Sequence, residues 1–372
     1  MRIILFTSEL SEKNGWGRYS LELACVYKKF NHEVIVVCNK ANNNEAIAQI
    51  ELLPGPLSYY RNYFLFFLSV IKIVFWIKDG KETVVHCLVE TYLPSAWLIS
   101  KLYSCPLFLT VHGSFGLKPL AFRVVGSIHK KLYQLADKVI CVSSYTKDRL
   151  ITAVGNLGNI EVIPNGVNTT NTQLSSPRAG CGNGRQVLLG VGALKKRKGF
   201  HLVLRALPDI LKIFPNLEYW IVGSRDDQDY YCKLLDIINE NQIGERVKFF
   251  YNISDQELDF LYTQACLLVL TPISDQYNFE GFGLVYLEAN LRGLPVVGSL
   301  ENGGEEAIKD GKTGFLSRPN DPKDIARLII KILSDQKLYS MMSEEATKWA
   351  QNHDWSFIAK RYLNLYKTKD EI

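Results

Sequence analysis

The chain has 372 residues, 47% apolar and 22% charged, which is the composition of an ordinary soluble globular protein and exceeds the length at which one core keeps growing. Its net charge of +5 is unevenly spread, with 18 Lys+Arg against 12 Asp+Glu in residues 1–172 and 25 against 26 in the remainder. That leaves open an anionic partner for the first half or mere scatter of surface charge, and nucleic acid is not expected as a partner.

Met1–Thr7 is too short an apolar run for a signal peptide and reads as a first strand. Further strands are expected at Glu33–Cys38, Thr83–Cys87, Leu107–Val111, Val139–Val142 and Glu161–Ile163, with helices at Ser20–Phe30, Leu93–Tyr103 and Phe122–Ala136. Such alternation predicts a parallel, doubly wound sheet. Tyr63–Ile77 is apolar on nearly every side but is closed by Arg61 and Lys78 before it reaches the ~20 residues of a membrane span. It reads as a buried helix, with a helix lying on a membrane surface as the second reading.

Pro164-Asn165-Gly166 is a turn signal, and the Asn-, Ser-, Thr- and Gly-rich segment after it reads as an interdomain linker. Alternation then restarts: strands at Val187–Val191, Glu218–Val222, Val247–Phe250, Leu267–Leu270 and Pro295–Gly298, with helices Phe200–Phe214, Tyr230–Asn241, Asp255–Gln264 and Leu284–Arg292 between them. A last helical stretch, Pro322–Lys367, is broken near Asn352-His353-Asp354. The expected architecture is α/β, two Rossmann-like doubly wound domains facing across a cleft: domain one at 1–168, linker 169–185, domain two at 186–348, and a helix at 349–372 crossing back. Ligands of such sheets bind beyond the carboxyl ends of the strands. The eight cysteines (Cys25, Cys38, Cys87, Cys105, Cys141, Cys181, Cys232, Cys266) form no Cys-x-x-Cys pair and several sit in apolar runs. Reduced thiols in a cytoplasmic protein are therefore expected, rather than a disulfide framework or a zinc site.

The strongest constellation is Asn278-Phe279-Glu280-Gly281-Phe282-Gly283-Leu284-Val285-Tyr286-Leu287-Glu288, a glycine turn running from a strand into a helix. Free amides and the helix dipole make that terminus a receptor for phosphate, and glycines let a ligand approach the backbone. Gly190-Val191-Gly192-Ala193-Leu194-Lys195-Lys196-Arg197-Lys198-Gly199 sets four cations before another helix, where they would offset charge on a departing diphosphate. Asn14-Gly15-Trp16-Gly17 follows strand one without the third glycine of a dinucleotide fingerprint, and strand two ends without an acid, so NAD is not expected. His112 closes Leu109-Thr110-Val111-His112-Gly113 at a strand end, and Ser143 or Ser144 reads as a helix cap. No Asp-x-Asp stands at a strand end, and Asp226-Asp227 lacks a second ligand set, so no metal or cofactor is expected.

These motifs resemble the retaining GT-B glycosyltransferases of family 4 (glycosyl transferases group 1). Glu280 and Glu288 match the family's E-x7-E signature, Lys198-Gly199 the end of G-R-L-x-x-x-K-G, and the segments around Gly303 and Gly311 its G-G-x-x-E and D-G-x-T-G loops. The resemblance implies that Glu280 contacts the donor sugar and Glu288 the ribose. It also implies that the amides of Phe282, Gly283 and Leu284 meet sugar and phosphate, that Gly15 and Gly17 face the donor, and that His112 and Lys198 join Glu280 in catalysis. Ala193 stands where the family usually has an arginine, and Arg197 is the candidate substitute. The implied function is sugar transfer with retention from a nucleotide-sugar donor to a sugar or lipid-linked sugar acceptor, in cell-surface polysaccharide or glycolipid assembly. The expected place is the cytoplasm, with attachment to an anionic membrane at its inner face as the further reading. A nucleotide-sugar epimerase on the same fold and a non-catalytic donor-binding subunit remain as alternatives.

Overall fold

A computed structural model describes residues 1–11, 15–42, 47–51, 55, 70, 73, 82–170 and 186–367. The linker from 171 to 185 and, apart from the buried Val70 and Ile73, the Tyr63–Ile77 run lie outside the described residues. The chain divides into two compact units, Met1–Gly166 with the chain from Trp355 onward, and Val167–Asp354.

The first unit carries seven parallel strands: β1 Arg2–Phe6, β2 Glu33–Cys38, β3 Ala48–Glu51, β4 Thr83–Cys87, β5 Leu107–Val111, β6 Lys138–Cys141 and β7 Ile160–Val162, in the order β3-β2-β1-β4-β5-β6-β7. β1 and β5 are buried throughout, as expected of unbroken apolar runs in a sheet covered on both faces. The helix Gly15–Lys29 packs against Trp355–Tyr366, and these two bury Tyr19, Tyr27, Trp355, Tyr362 and Tyr366 over the sheet. Buried hydroxyls need partners, and here they find one another. The Tyr19 hydroxyl donates to that of Tyr362 at 2.7 Å, Tyr27 and Tyr366 lie 2.8 Å apart, and the His86 ring bridges Tyr366 at 2.5 Å and Thr110 at 2.8 Å.

The second unit holds six parallel strands: β8 Val187–Val191, β9 Glu218–Val222, β10 Val247–Phe250, β11 Leu267–Val269, β12 Val296–Ser299 and β13 Gly314–Ser317, ordered β10-β9-β8-β11-β12-β13. β8 lies at the centre, where the order reverses, so its carboxyl end opens at a switch point of the sheet.

The two compact units meet at 166–167 and 354–355. Val167 bridges Asp354 with its N–H on the His353 carbonyl, and the Trp349 indole donates to Ala307, which ties both segments to the second unit. The strands β3 and β13 were not expected, because Ala-Gln-Ile-Glu and Gly-Phe-Leu-Ser are too short and mixed to alternate; both occupy sheet edges. Cys266 is disulfide-bonded, against the expectation of reduced thiols throughout, because folding and not spacing decides which sulfurs meet. Cys25, Cys38, Cys87, Cys105, Cys141 and Cys232 are free.

Tyr366→Phe removes one hydroxyl from both His86 and Tyr27 in a buried setting. It is expected to lower stability by about 1–3 kcal/mol, read as a shift of the urea unfolding midpoint.

Candidate active site

In the second unit the strand ends bring four segments together. The chain leaves β8 through Gly192 and forms a 3-10 turn at Lys196–Lys198, and Gly199 then opens the helix Phe200–Leu211. Gly199 has φ +76°, and a Cβ there would sit 1.8 Å from the Thr271 carbonyl oxygen at the end of β11. This close approach draws the cationic turn onto the 271–283 loop, where the Ile273 N–H donates to the Arg197 carbonyl at 2.9 Å.

Lys198 Nζ then reaches Glu280 Oε2 at 2.6 Å, and Arg197 Nη1 reaches the same oxygen at 2.9 Å. Burial alone would raise the Glu280 carboxyl; the charges of Lys198 and Arg197 outweigh it and hold the group at about 2. Burial also lowers Lys198 against the pull of Glu280. Two cations on one carboxylate leave a local excess of positive charge beside a helix N-terminus, the combination that receives phosphate.

That terminus belongs to the helix Leu284–Leu291, entered through Gly283 at φ +80°. A Cβ on Gly283 would overlap the Tyr286 ring at 2.6 Å and come within 3.5 Å of the Gly304 Cα. The 302–305 loop is held there by a capping box of Asn302 and Glu305, and the Gly303 N–H donates to the Glu280 carbonyl at 2.9 Å. Phe282 is buried, so it is through its backbone that it is available to a ligand. One helical face further on, Glu288 accepts from the Tyr262 hydroxyl at 3.3 Å, and Arg292 lies over the Tyr262 ring at 4.6 Å while pairing with Asp259.

Arg197, Lys198, Glu280, Gly283 and the Leu284 helix start are thus brought together, with Glu288 about 6 Å along the helix from Leu284. Beyond β9 and β10, where the Leu194 N–H donates to the Ser224 carbonyl at 2.9 Å, is a cavity of about 350 Å³ lined by Ser224, Arg225, Asp226, Tyr251 and Asn252. The Arg225 guanidinium lies over Tyr231 at 4.8 Å and Tyr251 at 5.5 Å. Asp226 accepts from Ser224, and Asp227 caps the helix Gln228–Glu240, so both acids have structural partners. Among the described residues no group of three or more His, Cys, Asp or Glu is arranged to hold a metal ion.

Gly15, Gly17 and His112 belong to the first unit. Gly17 is required by contact, since a Cβ there would lie 2.6 Å from the Ser11 carbonyl oxygen, whereas a Cβ on Gly15 would meet no atom of the described residues within 4 Å. His112 ends β5 with its ring edge-on to Tyr19 at 4.4 Å; burial pushes the imidazole down to about 4, so it is neutral at pH 7. Ser143 caps the helix Ser144–Val154, accepting the Thr146 N–H at 3.1 Å.

Two participants escaped the sequence reading. Glu90 is fully buried and accepts the His112 N–H at 2.7 Å, and burial raises its carboxyl to about 7. A lone acid after the apolar run Cys87-Leu88-Val89 was the available signal. Tyr262, which meets Glu288, gave none, because only folding brings its helix alongside.

The model of the glycosyl transferases group 1 matches residues 174–349, and that of Glycosyltransferase Family 4 matches residues 13–171. The GDP-mannose-dependent alpha-(1-6)-phosphatidylinositol monomannoside mannosyltransferase of Mycolicibacterium smegmatis is 30% identical over 247 residues, 63% of this chain and 63% of that protein. The chain therefore matches less than two thirds of that relative's length. The glycogen synthase of Mycobacterium tuberculosis is 27% identical over 297 residues, 78% of this chain and 69% of that enzyme. Among solved structures, sucrose-phosphate synthase of Thermosynechococcus elongatus superposes with a TM-score of 0.78 at 23% identity, covering 98% of both chains. Anabaena HepE in complex with UDP and glucose gives 0.80 at 21% identity, covering 99% of this chain and 100% of that one. At these identities the likeness establishes the fold: two Rossmann-like domains, each a parallel sheet with flanking helices, of the GT-B type.

Glu280 should make itself visible in acid. Its folded pKa lies below the ordinary 4.5, so the stability it contributes is complete above pH 4.5 and is lost as the pH falls toward about 2. The difference in urea midpoint between wild type and Glu280→Gln is expected to stay level above pH 4.5 and to shrink below it.

Proposed function

Because the chain belongs to the family 4, group 1 glycosyltransferases, we propose that it moves a sugar, with retention, from a nucleotide-sugar donor to an acceptor hydroxyl without a metal ion or cofactor. The observation that carries this reading is the convergence of Lys198 and Arg197 on the Glu280 carboxylate beside the Gly283 helix start.

Diphosphate entering this place meets a preformed receptor. The cations are already held by Glu280, so little side-chain freedom is lost on binding, and the amides of the Gly283–Leu284 turn point outward from the helix. As the glycosidic bond breaks, negative charge accumulates on the departing nucleoside diphosphate, and the Lys198 and Arg197 charges stabilise it more than they stabilise the bound donor. Arg197 does this in place of the arginine absent at Ala193, reaching the same carboxylate from the neighbouring turn. Glu280, kept ionised by its partners, accepts a sugar hydroxyl near the anomeric carbon, while Glu288 takes ribose hydroxyls. The base occupies the cavity beneath Arg225 and Tyr251, where a flat ring finds an aromatic wall and a guanidinium. In the first unit, burial keeps His112 neutral, so this side chain acts by hydrogen bonding and not by charge.

Acceptor choice belongs to the first unit, whose positive balance suits a lipid-linked sugar at the inner face of a membrane. Assembly of a surface polysaccharide or glycolipid is the process that uses such an acceptor. The mannosyltransferase of Mycolicibacterium smegmatis, which by its name acts on a phosphatidylinositol mannoside, supports this choice.

A thermal-shift screen with UDP-, GDP- and ADP-sugars is the direct test: one donor should raise the melting temperature, and no shift with any nucleotide sugar would overturn the reading. With that donor, Lys198→Ala is expected to lower kcat/KM by about 100- to 1,000-fold. Arg197→Ala should raise the donor KM, and an unchanged KM would remove Arg197 from the site.

A further inference from the structure

The helix Arg123–Leu135 is buried on one side only. Gly126, His129, Leu132 and Tyr133 face inward, where the Tyr133 hydroxyl donates to the Gly116 carbonyl at 2.7 Å. At 100° per residue the outward side divides into two stripes. Val124, Ile128, Lys131 and Leu135 fall within about 60° of one another, and Arg123, Ser127, Lys130 and Gln134 form a second stripe beside them. The apolar members are far more open than core positions: Val124 is 71% exposed, Ile128 38% and Leu135 42%, with Phe122 at the helix start 56%. Leu102, 55% exposed, ends the helix Leu93–Leu102 that packs alongside.

The charge on this face has one sign. The helix carries Arg123, Lys130 and Lys131 and no acid, and Lys101 adjoins Leu102. None of the three helix cations makes an ion pair among the described residues, and the Asp137 carboxylate just beyond the helix is turned to the Leu107 N–H at 2.8 Å. A cluster of exposed large apolar side chains costs solvation in water, and unpaired cations beside it repel a second copy of the same face. A surface that takes apolar groups a few ångströms deep while presenting negative charge at that level satisfies both, and an anionic bilayer is such a surface.

We infer that the Arg123–Leu135 helix, with Phe122 and Leu102, is a docking face for an anionic membrane: Val124, Ile128 and Leu135 enter the acyl boundary while Arg123, Lys130 and Lys131 engage lipid headgroups. The inference rests on the lipid-linked acceptor reading for its purpose and gives that reading a location other than the Tyr63–Ile77 run. No helix among the described residues is long and apolar enough to cross a membrane.

The test is co-sedimentation of the full chain with phosphatidylcholine vesicles, with and without phosphatidylglycerol, at low and high salt. Wild type should pellet with the anionic vesicles at low salt and be released by high salt. The Val124→Glu/Ile128→Glu and Lys130→Glu/Lys131→Glu variants should each bind at least about tenfold more weakly. Circular dichroism melting, together with the donor-induced thermal shift, should show both variants folded and donor-competent, since the substituted side chains face outward. Undiminished vesicle binding by the variants, or no binding by wild type, overturns the docking face while leaving the transferase reading to the donor screen. Self-association of wild type in sedimentation velocity that Val124→Glu/Ile128→Glu abolishes would assign the face to a second copy and overturn it equally.

Discussion

A carboxylate shared by two cations, nearly out of water, is the interaction around which the second unit's loops are arranged. Left alone, Glu280 would be driven by burial toward its neutral form, and Lys198 toward its own. Paired, each keeps the other charged. The pair also ties the 196–198 turn to the 271–283 loop, and the Glu280 carbonyl carries the tie on to Gly303. Three separate crossover connections are thereby fixed relative to one helix start. Gly199 and Gly283, both in left-handed backbone, provide the approach at the two ends of this bridge. The cost of holding charge in a dry place is met within the folded loops themselves.

Much of the fold was legible because its strands are short apolar runs bounded by turn residues, and because the E-x7-E and Lys-Gly motifs carry their spacing openly. What was not legible lies in three physical classes. Edge strands such as Ala48–Glu51 bury too little to alternate, so only their neighbours define them. Contacts between distant segments, such as Tyr262 with Glu288 or Glu90 with the His112 amide, leave no mark on local periodicity. Exposure is the third class: the helix near Arg123 was expected, but apolar residues on both of its sides read alike in sequence, and only the fold decides that Leu132 is covered and Val124 is not.

Glycine positions show how differently one residue type is used. Gly17, Gly199 and Gly283 are demanded by a close backbone or ring, and a sequence motif around each had already marked it. Gly15 sits in the same motif as Gly17, yet a Cβ there would meet no atom of the described residues within 4 Å. The motif therefore mixes one position that packing requires with one that it does not.

The tyrosine hydroxyls that join Gly15–Lys29 to Trp355–Tyr366 have a consequence for biosynthesis. The first unit is interrupted by the whole of the second, about 190 residues, so its own core lacks Trp355, Tyr362 and Tyr366 while the ribosome makes the insert. At roughly 5–20 residues per second that interval lasts about 10–40 s. The second unit, contiguous in the chain, can complete its sheet first, and the nascent amino-terminal half must wait, its aromatic seam open, for the closing helix to emerge.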